Sequence, residues 1–200
     1  ARRRTWASAD VRVPPLMIVN ATGGDNSICP GGCVHEQHRA TEGRMTDLEL
    51  HRLLSQARDL GVSIVALGGG EPQGRPEIIN IVQSFPHMLF VLITNGAMIE
   101  AHFAADLERA HNVIPLIGLE GLEAEIDGRR GEGVYHPATA TMDAVRERGI
   151  FFGVSIKITR PNFALTTSRQ FVRALSRRGC RLFFYFDHVP IQPGTEHLVP

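Results

Sequence analysis

Apolar residues in this chain gather into short, nearly unbroken runs. Between the runs they recur every three or four positions. The runs cover 15–21, 62–68, 88–94, 112–119, 151–159 and 181–187, and they are rich in Val, Ile, Leu and Phe. Consecutive apolar positions over six to nine residues predict strands buried on both faces, as in a parallel sheet with covered sides.

The intervening stretches carry helix signals. Thr46 to Glu49 forms a predicted capping box, in which side chains satisfy backbone N–H groups that have no partner inside the helix. Leu50, Leu53, Leu54, Ala57 and Leu60 then fall on one face, and Gly61 marks the end. Pro76 stands near the start of the next helix, where its missing N–H costs little, and Pro86 lies just past its end. Gly149 closes a helix near 134–148. Thr167 to Gln170 reads as a second capping box, and Gly179 ends that helix. Six strands thus alternate with five helices, an order that predicts right-handed crossovers and parallel strands. Periodicity fits both an open doubly wound sheet and a curved barrel.

In either architecture the loops after the strands form the working face. A long segment, 22–44, rich in Gly, Cys and His follows the first strand. Gly68–Gly70, Glu71 and Pro72 follow the second, and Thr94, Asn95 and Gly96 the third. Glu120 with Gly121, and a 129–133 stretch of Arg and Gly, follow the fourth. Arg160, Pro161 and Asn162 follow the fifth. A loop as long as 22–44 inside a compact domain is usually functional.

Composition narrows the setting. The 200 residues fit one domain or a piece of a larger one, and hydrophobic residues make up 43%. A formal net charge of zero argues against nucleic acid as a partner, and Arg2–Arg4 reads as a solvated tail. No run approaches the ~20 apolar residues of a membrane helix, and no signal-peptide pattern is present. The chain begins at Ala1 rather than Met, which fits a processed chain or an excised piece. Two of its three cysteines, Cys29 and Cys33, form a close pair. Without an export signal, such a pair points to metal or redox chemistry in a reducing, cytoplasmic compartment. Cys180 stands alone before a strand and reads as a buried, small apolar residue.

Residues 22–38 concentrate Asp25, Cys29, Cys33, His35, Glu36 and His38 among glycines. Thiolates are soft ligands for iron–sulfur clusters or zinc. A loop with two incidental cysteines fits the same residues. At Gly68–Gly70 the bare backbone admits a ligand, and Glu71 offers a carboxylate to a cationic group. A tight turn with an exposed acid is the plain alternative.

Together the two constellations resemble the radical S-adenosylmethionine (radical SAM) superfamily, whose members carry Cys-x3-Cys-x2-Cys after the first strand and Gly-Gly-Glu-Pro after the second. Thr22, Asn26, Cys29 and Gly31 set a similar register, and Gly69, Gly70, Glu71 and Pro72 match the second motif. Thr94–Gly96, Leu119–Gly121 and Arg130–Val134 look like one uncharacterised branch of that superfamily. The resemblance spans residues ~15 to 190 with its motifs in order at matching strand ends. In an ungapped register the three family cysteines correspond to Asp25, Cys29 and Gly32, with Cys33 one position late.

The resemblance implies an α/β fold, a partial (β/α)6 TIM-like barrel of parallel strands. It implies residues 1–14 as an N-terminal extension and 15–200 as a barrel core truncated at its C-terminal side. It also implies an enzyme with a 4Fe–4S cluster and S-adenosylmethionine as cofactors. On that pattern Cys29 and Cys33 are cluster ligands with Asp25 as the third. Gly69, Gly70 and Glu71 receive the S-adenosylmethionine ammonium, Glu120 the ribose hydroxyls, and Ser155 and Arg160 other polar groups. No residue is assigned a catalytic role. For Arg160 a structural ion pair fits equally. The expected partners are an electron donor and a small-molecule or peptide substrate, met by the 121–133 loop and by 185–193, with no membrane. Three other readings stay open: a related barrel that binds or scaffolds without a cluster, a zinc site built from Cys29, Cys33, His35 and His38, and a phosphate cradle at Gly68–Gly70. Glu71 opposes the last by like-charge repulsion.

Overall fold

A computed structural model describes residues 12–22, 45–96, 99, 101–119, 121, 135–190 and 194–200. The strands are β1 (Leu16–Thr22), β2 (Ile64–Gly69), β3 (Leu89–Thr94), β4 (Val113–Gly118), β5 (Gly153–Ile158) and β6 (Leu182–Asp187). The helices are α1 (Asp47–Leu60), α2 (Glu77–Gln83), α3 (Ala101–Arg109), α4 (Tyr135–Glu147), α5 (Phe163–Thr166) and α6 (Arg169–Arg177). A 3-10 turn, Pro72–Gly74, follows β2.

All neighbouring strands are parallel, and the sheet order is β1-β2-β3-β4-β5-β6. That order decides between the two predicted architectures. A doubly wound sheet must reverse its strand order, and this one does not. The sheet curls into a half-barrel with β1 and β6 at its edges, as the resemblance implied.

Curling in one direction separates the two faces. On β2 and β3, Val65, Leu67, Phe90 and Leu92 are buried against α1, α2 and α3, together with Leu50, Leu54, Ile78 and Phe103. A second cluster joins Val154 and Ile156 of β5 to Met142 and Val145 of α4 and Phe171 and Leu175 of α6. The alternate positions, Ile64, Ala66, Leu89, Val91 and Ile93, line the concave face and are half-buried. On β2 and β3 the expectation of burial on both faces therefore holds for the helix side alone, whereas β5 is buried at every position. At the edges the departure is largest: Ile18 is 73% exposed, and Phe184 and Phe186 are exposed on β6.

The helix ends follow the local sequence in most places. Thr46 and Glu49 form the predicted capping box, with the Glu49 backbone N–H donating to Thr46 Oγ1 and the Thr46 N–H to Glu49 Oε2. The Thr46 N–H and the Thr46 hydroxyl, both donating to Glu49 Oε2, hold the Glu49 carboxyl below its ordinary value. The second predicted capping box, Thr167 to Gln170, does not form. Ser168, not Thr167, caps α6 by accepting from the Phe171 N–H, while Thr167 donates its hydroxyl to the Phe163 carbonyl. The short helix α5, which the sequence pattern did not predict, takes Thr167 as its C-cap and moves the N-cap of α6 on by one position. Among the described residues, no helix is long and apolar enough to cross a membrane.

Cys180 lies just before β6, is 1% exposed, and donates its thiol to the Leu182 carbonyl. Burial pushes this thiol from 9.0 up to about 11. The unfolded chain therefore loses the proton first. The stabilising contribution is complete below pH 9 and is lost as pH rises towards 11. We predict that Cys180 stays unmodified by iodoacetamide in native protein at about pH 8, where a free thiol already reacts. We also predict that Cys180→Ala flattens the fall in urea stability above pH 9. Peptide mass spectrometry showing native labelling of Cys180 at a free-thiol rate contradicts both.

Candidate functional site

The C-terminal ends of β2, β3, β4 and β5 meet at one mouth of the half-barrel. Its floor is built from small residues. Gly69 has φ of 118°, a conformation that side chains with a Cβ rarely adopt. It ends β2 and turns the chain into Gly70 and Glu71. Gly96 has φ of 69°, and a Cβ there would stand 2.7 Å from Ile117 Cγ2. Neither strain nor space permits another residue there. Gly118 brings β4 close to both neighbours: a Cβ on it would lie 3.3 Å from the Thr94 carbonyl oxygen and 3.8 Å from Ser155 Oγ.

Glu71 is buried at 7% exposure, not an exposed acid on a turn. The Thr94 hydroxyl donates to Oε1 at 2.5 Å, and the Asn95 N–H donates to Oε2 at 3.0 Å. Thr94 in turn accepts from the Gly96 N–H, and the Gly96 carbonyl accepts from the Thr141 hydroxyl. The carboxylate thus fastens the turn after β2 to the end of β3 and, through α4, to the far half of the barrel. A buried carboxylate needs such donors, because an unpaired one is strongly penalised.

The segment that carries Cys29 and Cys33 leaves β1 beside this turn. Thr22 pairs with Gly69, and the register slips between Asn20 and Thr22. Asp25, Cys29, Cys33, His35, His38 and Glu120 lie outside the described residues, as does most of the 121–133 loop. Among the described residues, no cluster of three or more metal-binding side chains occurs.

Ser155 sits on the concave side of β5, 4% exposed. Arg160 turns elsewhere. Its Nε donates to the Val199 carbonyl and its N–H to the Leu198 carbonyl, which ties residues 198–199 to the end of β5. Tyr185, expected near a substrate, points to the helix side and donates its hydroxyl to the Thr166 carbonyl. Burial raises its pKa.

Several residues at the mouth were given no individual role by the sequence. Arg75 is fully buried, and Lys157 is 5% exposed on β5. Asn162 locks the loop after β5: its Oδ1 accepts from the Thr159 N–H and its Nδ2 donates to the Lys157 carbonyl. Thr159 Oγ1 and His188 Nε2, at the ends of β5 and β6, are buried and have no hydrogen-bond partner among the described residues. An arginine or lysine in an apolar run could have flagged a paired or ligand-facing cation. The pairing partners themselves are distant in sequence and carry no mark.

A model of the radical SAM superfamily matches residues 26–181. The AdoMet-dependent heme synthase of Methanosarcina barkeri is 25% identical over 197 residues, covering 94% of this chain and 54% of that protein. The mycofactocin maturase MftC of Mycobacterium tuberculosis is 30% identical over 162 residues, covering 77% of this chain and 41% of its own length. The chain thus spans about half the length of the curated relatives it matches. Streptococcus suis SuiB bound to the precursor peptide SuiA superposes with a TM-score of 0.74 at 15% identity, over 98% of this chain and 44% of SuiB. SuiB bound to S-adenosylmethionine gives a TM-score of 0.72 at 15% identity, over 96% of this chain and 43% of SuiB.

The Thr94–Glu71 bond generates a stability prediction. Thr94→Val keeps the shape of the side chain and removes the donor, so urea unfolding should show a loss of about 1.5–3 kcal/mol, the range for a hydrogen bond to a charged group. Thr94→Ser keeps the donor and should lose about 1 kcal/mol, the value of one buried methyl. Equal losses for the two variants contradict the clamp.

Proposed function

The chain belongs to the radical SAM superfamily, and on that premise we propose that it forms the cofactor-binding barrel of a radical SAM enzyme. The observation that carries the reading is the turn after β2. There a run of bare backbone, Gly68–Gly70, adjoins a buried carboxylate held in place by two donors.

The residues fit S-adenosylmethionine. Its ammonium calls for a carboxylate and open backbone oxygens in a dry site, where charge pairing is strong. Glu71, Gly69 and Gly70 supply these groups. Thr94 and Asn95 orient the carboxylate, so little reorganisation accompanies binding. Ser155 and Glu120 would hold other polar groups of the cofactor, and Arg160 would contribute by fixing the end of β5. Thr159 Oγ1 and His188 Nε2, buried without partners among the described residues, suit the polar groups of a ligand at the same rim. The donor set in segment 22–44 fits an iron–sulfur cluster in chemical type: Cys29 and Cys33 would be thiolate ligands and Asp25 a harder third ligand. When bound, the cluster and S-adenosylmethionine supply a reducing electron and a 5′-deoxyadenosyl radical for hydrogen abstraction. The chain's own task is to orient these groups and keep water out.

The substrate, a small molecule or a peptide, would enter over the concave face near Phe184 and Phe186. SuiB, a structural neighbour bound to a precursor peptide, supports the peptide alternative. An electron donor is required in either case, and a cytoplasmic setting suits the thiolates.

A second reading is favoured by Asp25, which stands where the family pattern has a cysteine. In that reading the barrel binds or scaffolds without a cluster. Anaerobic reconstitution with iron and sulfide separates the two. The enzyme reading expects stoichiometric iron and sulfide with broad visible absorption, and S-adenosylmethionine binding that weakens about tenfold in Glu71→Gln, or about 1.4 kcal/mol. Protein that binds S-adenosylmethionine but retains no iron selects the scaffold. Protein that binds neither rejects both.

A further inference from the structure

Arg75 is fully buried, an unusual state for an arginine. Its three donor contacts go to two places that lie far apart in sequence. Nη1 donates to the Ala21 carbonyl at 2.5 Å. Nε and Nη2 both donate to Asp47 Oδ1, at 3.0 and 2.5 Å. Ala21 is the residue skipped in the β1–β2 register, where Asn20 pairs with Gly68 and Thr22 with Gly69. The irregularity turns its carbonyl out of the ladder and towards the guanidinium. Asp47 is the first residue of α1, directly after the cap Thr46.

Ala21 and Asp47 are the two roots of the segment that contains Asp25, Cys29 and Cys33. One guanidinium therefore gathers both ends of that segment. Arg75 itself belongs to the turn that presents Glu71: the Gly74 N–H donates to the Glu71 carbonyl and the Arg75 N–H to the Pro72 carbonyl. Loop closure carries an entropic cost, and a fork with fixed donor geometry offsets it at both roots together.

We propose that Arg75 is a positioning residue that seats the two roots of the cysteine-bearing segment on the turn presenting Glu71. The proposal rests on the reading of that turn and segment as one cofactor site. A lysine could not replace the fork, because a point donor cannot hold the carbonyl and the carboxylate in one plane. A merely structural ion pair would lower the stability of the whole fold while leaving cofactor loading per folded chain unchanged.

The test uses Arg75→Lys, Arg75→Gln and Asp47→Asn. Asp47 is half-exposed, so its variant keeps the arginine and its Ala21 contact and serves if the arginine variants fail to fold. Hydrogen exchange is measured on the cofactor-free chain. Iron and sulfide per folded chain are measured after anaerobic reconstitution. We expect exchange at residues 20–22 and 45–48 to rise about tenfold while β3 to β5 keep their protection. We expect iron per folded chain to fall about tenfold, the lower end for supporting residues of a metal site, with Arg75→Lys between wild type and Arg75→Gln. Unchanged exchange at both roots overturns the proposal, as does faster exchange with wild-type iron content. If the wild-type chain takes up no iron, the cluster assignment fails, and exchange at the roots still decides whether Arg75 holds them.

Discussion

A parallel sheet wound in strict sequential order places its crossover helices on one side, and the rest of this structure depends on that constraint. The helix-facing positions of β2 to β5 form two apolar clusters with almost no exposed surface. The opposite positions are half-buried on β2 and β3 and buried on β5. Burial on one side supplies most of the hydrophobic stabilisation. The other side is left for binding, with apolar walls below and polar groups at the strand ends.

At that rim the demand of a buried carboxylate organises the site. Glu71 must be satisfied by donors, and it recruits them from the end of β3. Thr94 and Gly96 pass the constraint on to Thr141 in α4. Arg75, four residues later, imposes the same demand with opposite charge and recruits its acceptors from the end of β1 and the start of α1. Two buried charges in one short turn thus tie the first three strands together at the height where the cysteine segment departs. Each is matched to a different set of distant groups, so the turn is held from both sides.

Polar groups at the far side of the rim are less strictly organised. The loop after β5 is locked by Asn162, and Arg160 is committed to residues 198–199. Thr159 and His188 nevertheless keep buried polar atoms without partners among the described residues. Such atoms are uncommon in a settled interior, and they stand at two adjacent strand ends.

The sequence by itself determined the six strands, their alternation with helices and the ends of most helices, because apolar period, capping residues and terminal glycines act over a few neighbouring positions. The Gly69–Pro72 turn was legible for the same reason, and ordered motifs made the superfamily legible too. Tertiary structure decided the rest. Strand order alone distinguished a half-barrel from a doubly wound sheet. Curvature left one face of β2 and β3 half-buried where runs of apolar residues predicted cover on both. The one-residue shift of the α6 cap came from a short preceding helix that periodicity does not reveal. Arg75 and Thr94 gained their roles from partners 54 and 23 residues away. Hydrogen bonds across such separations leave no local pattern, since each partner is ordinary within its own segment and becomes significant only where the chain brings the two together.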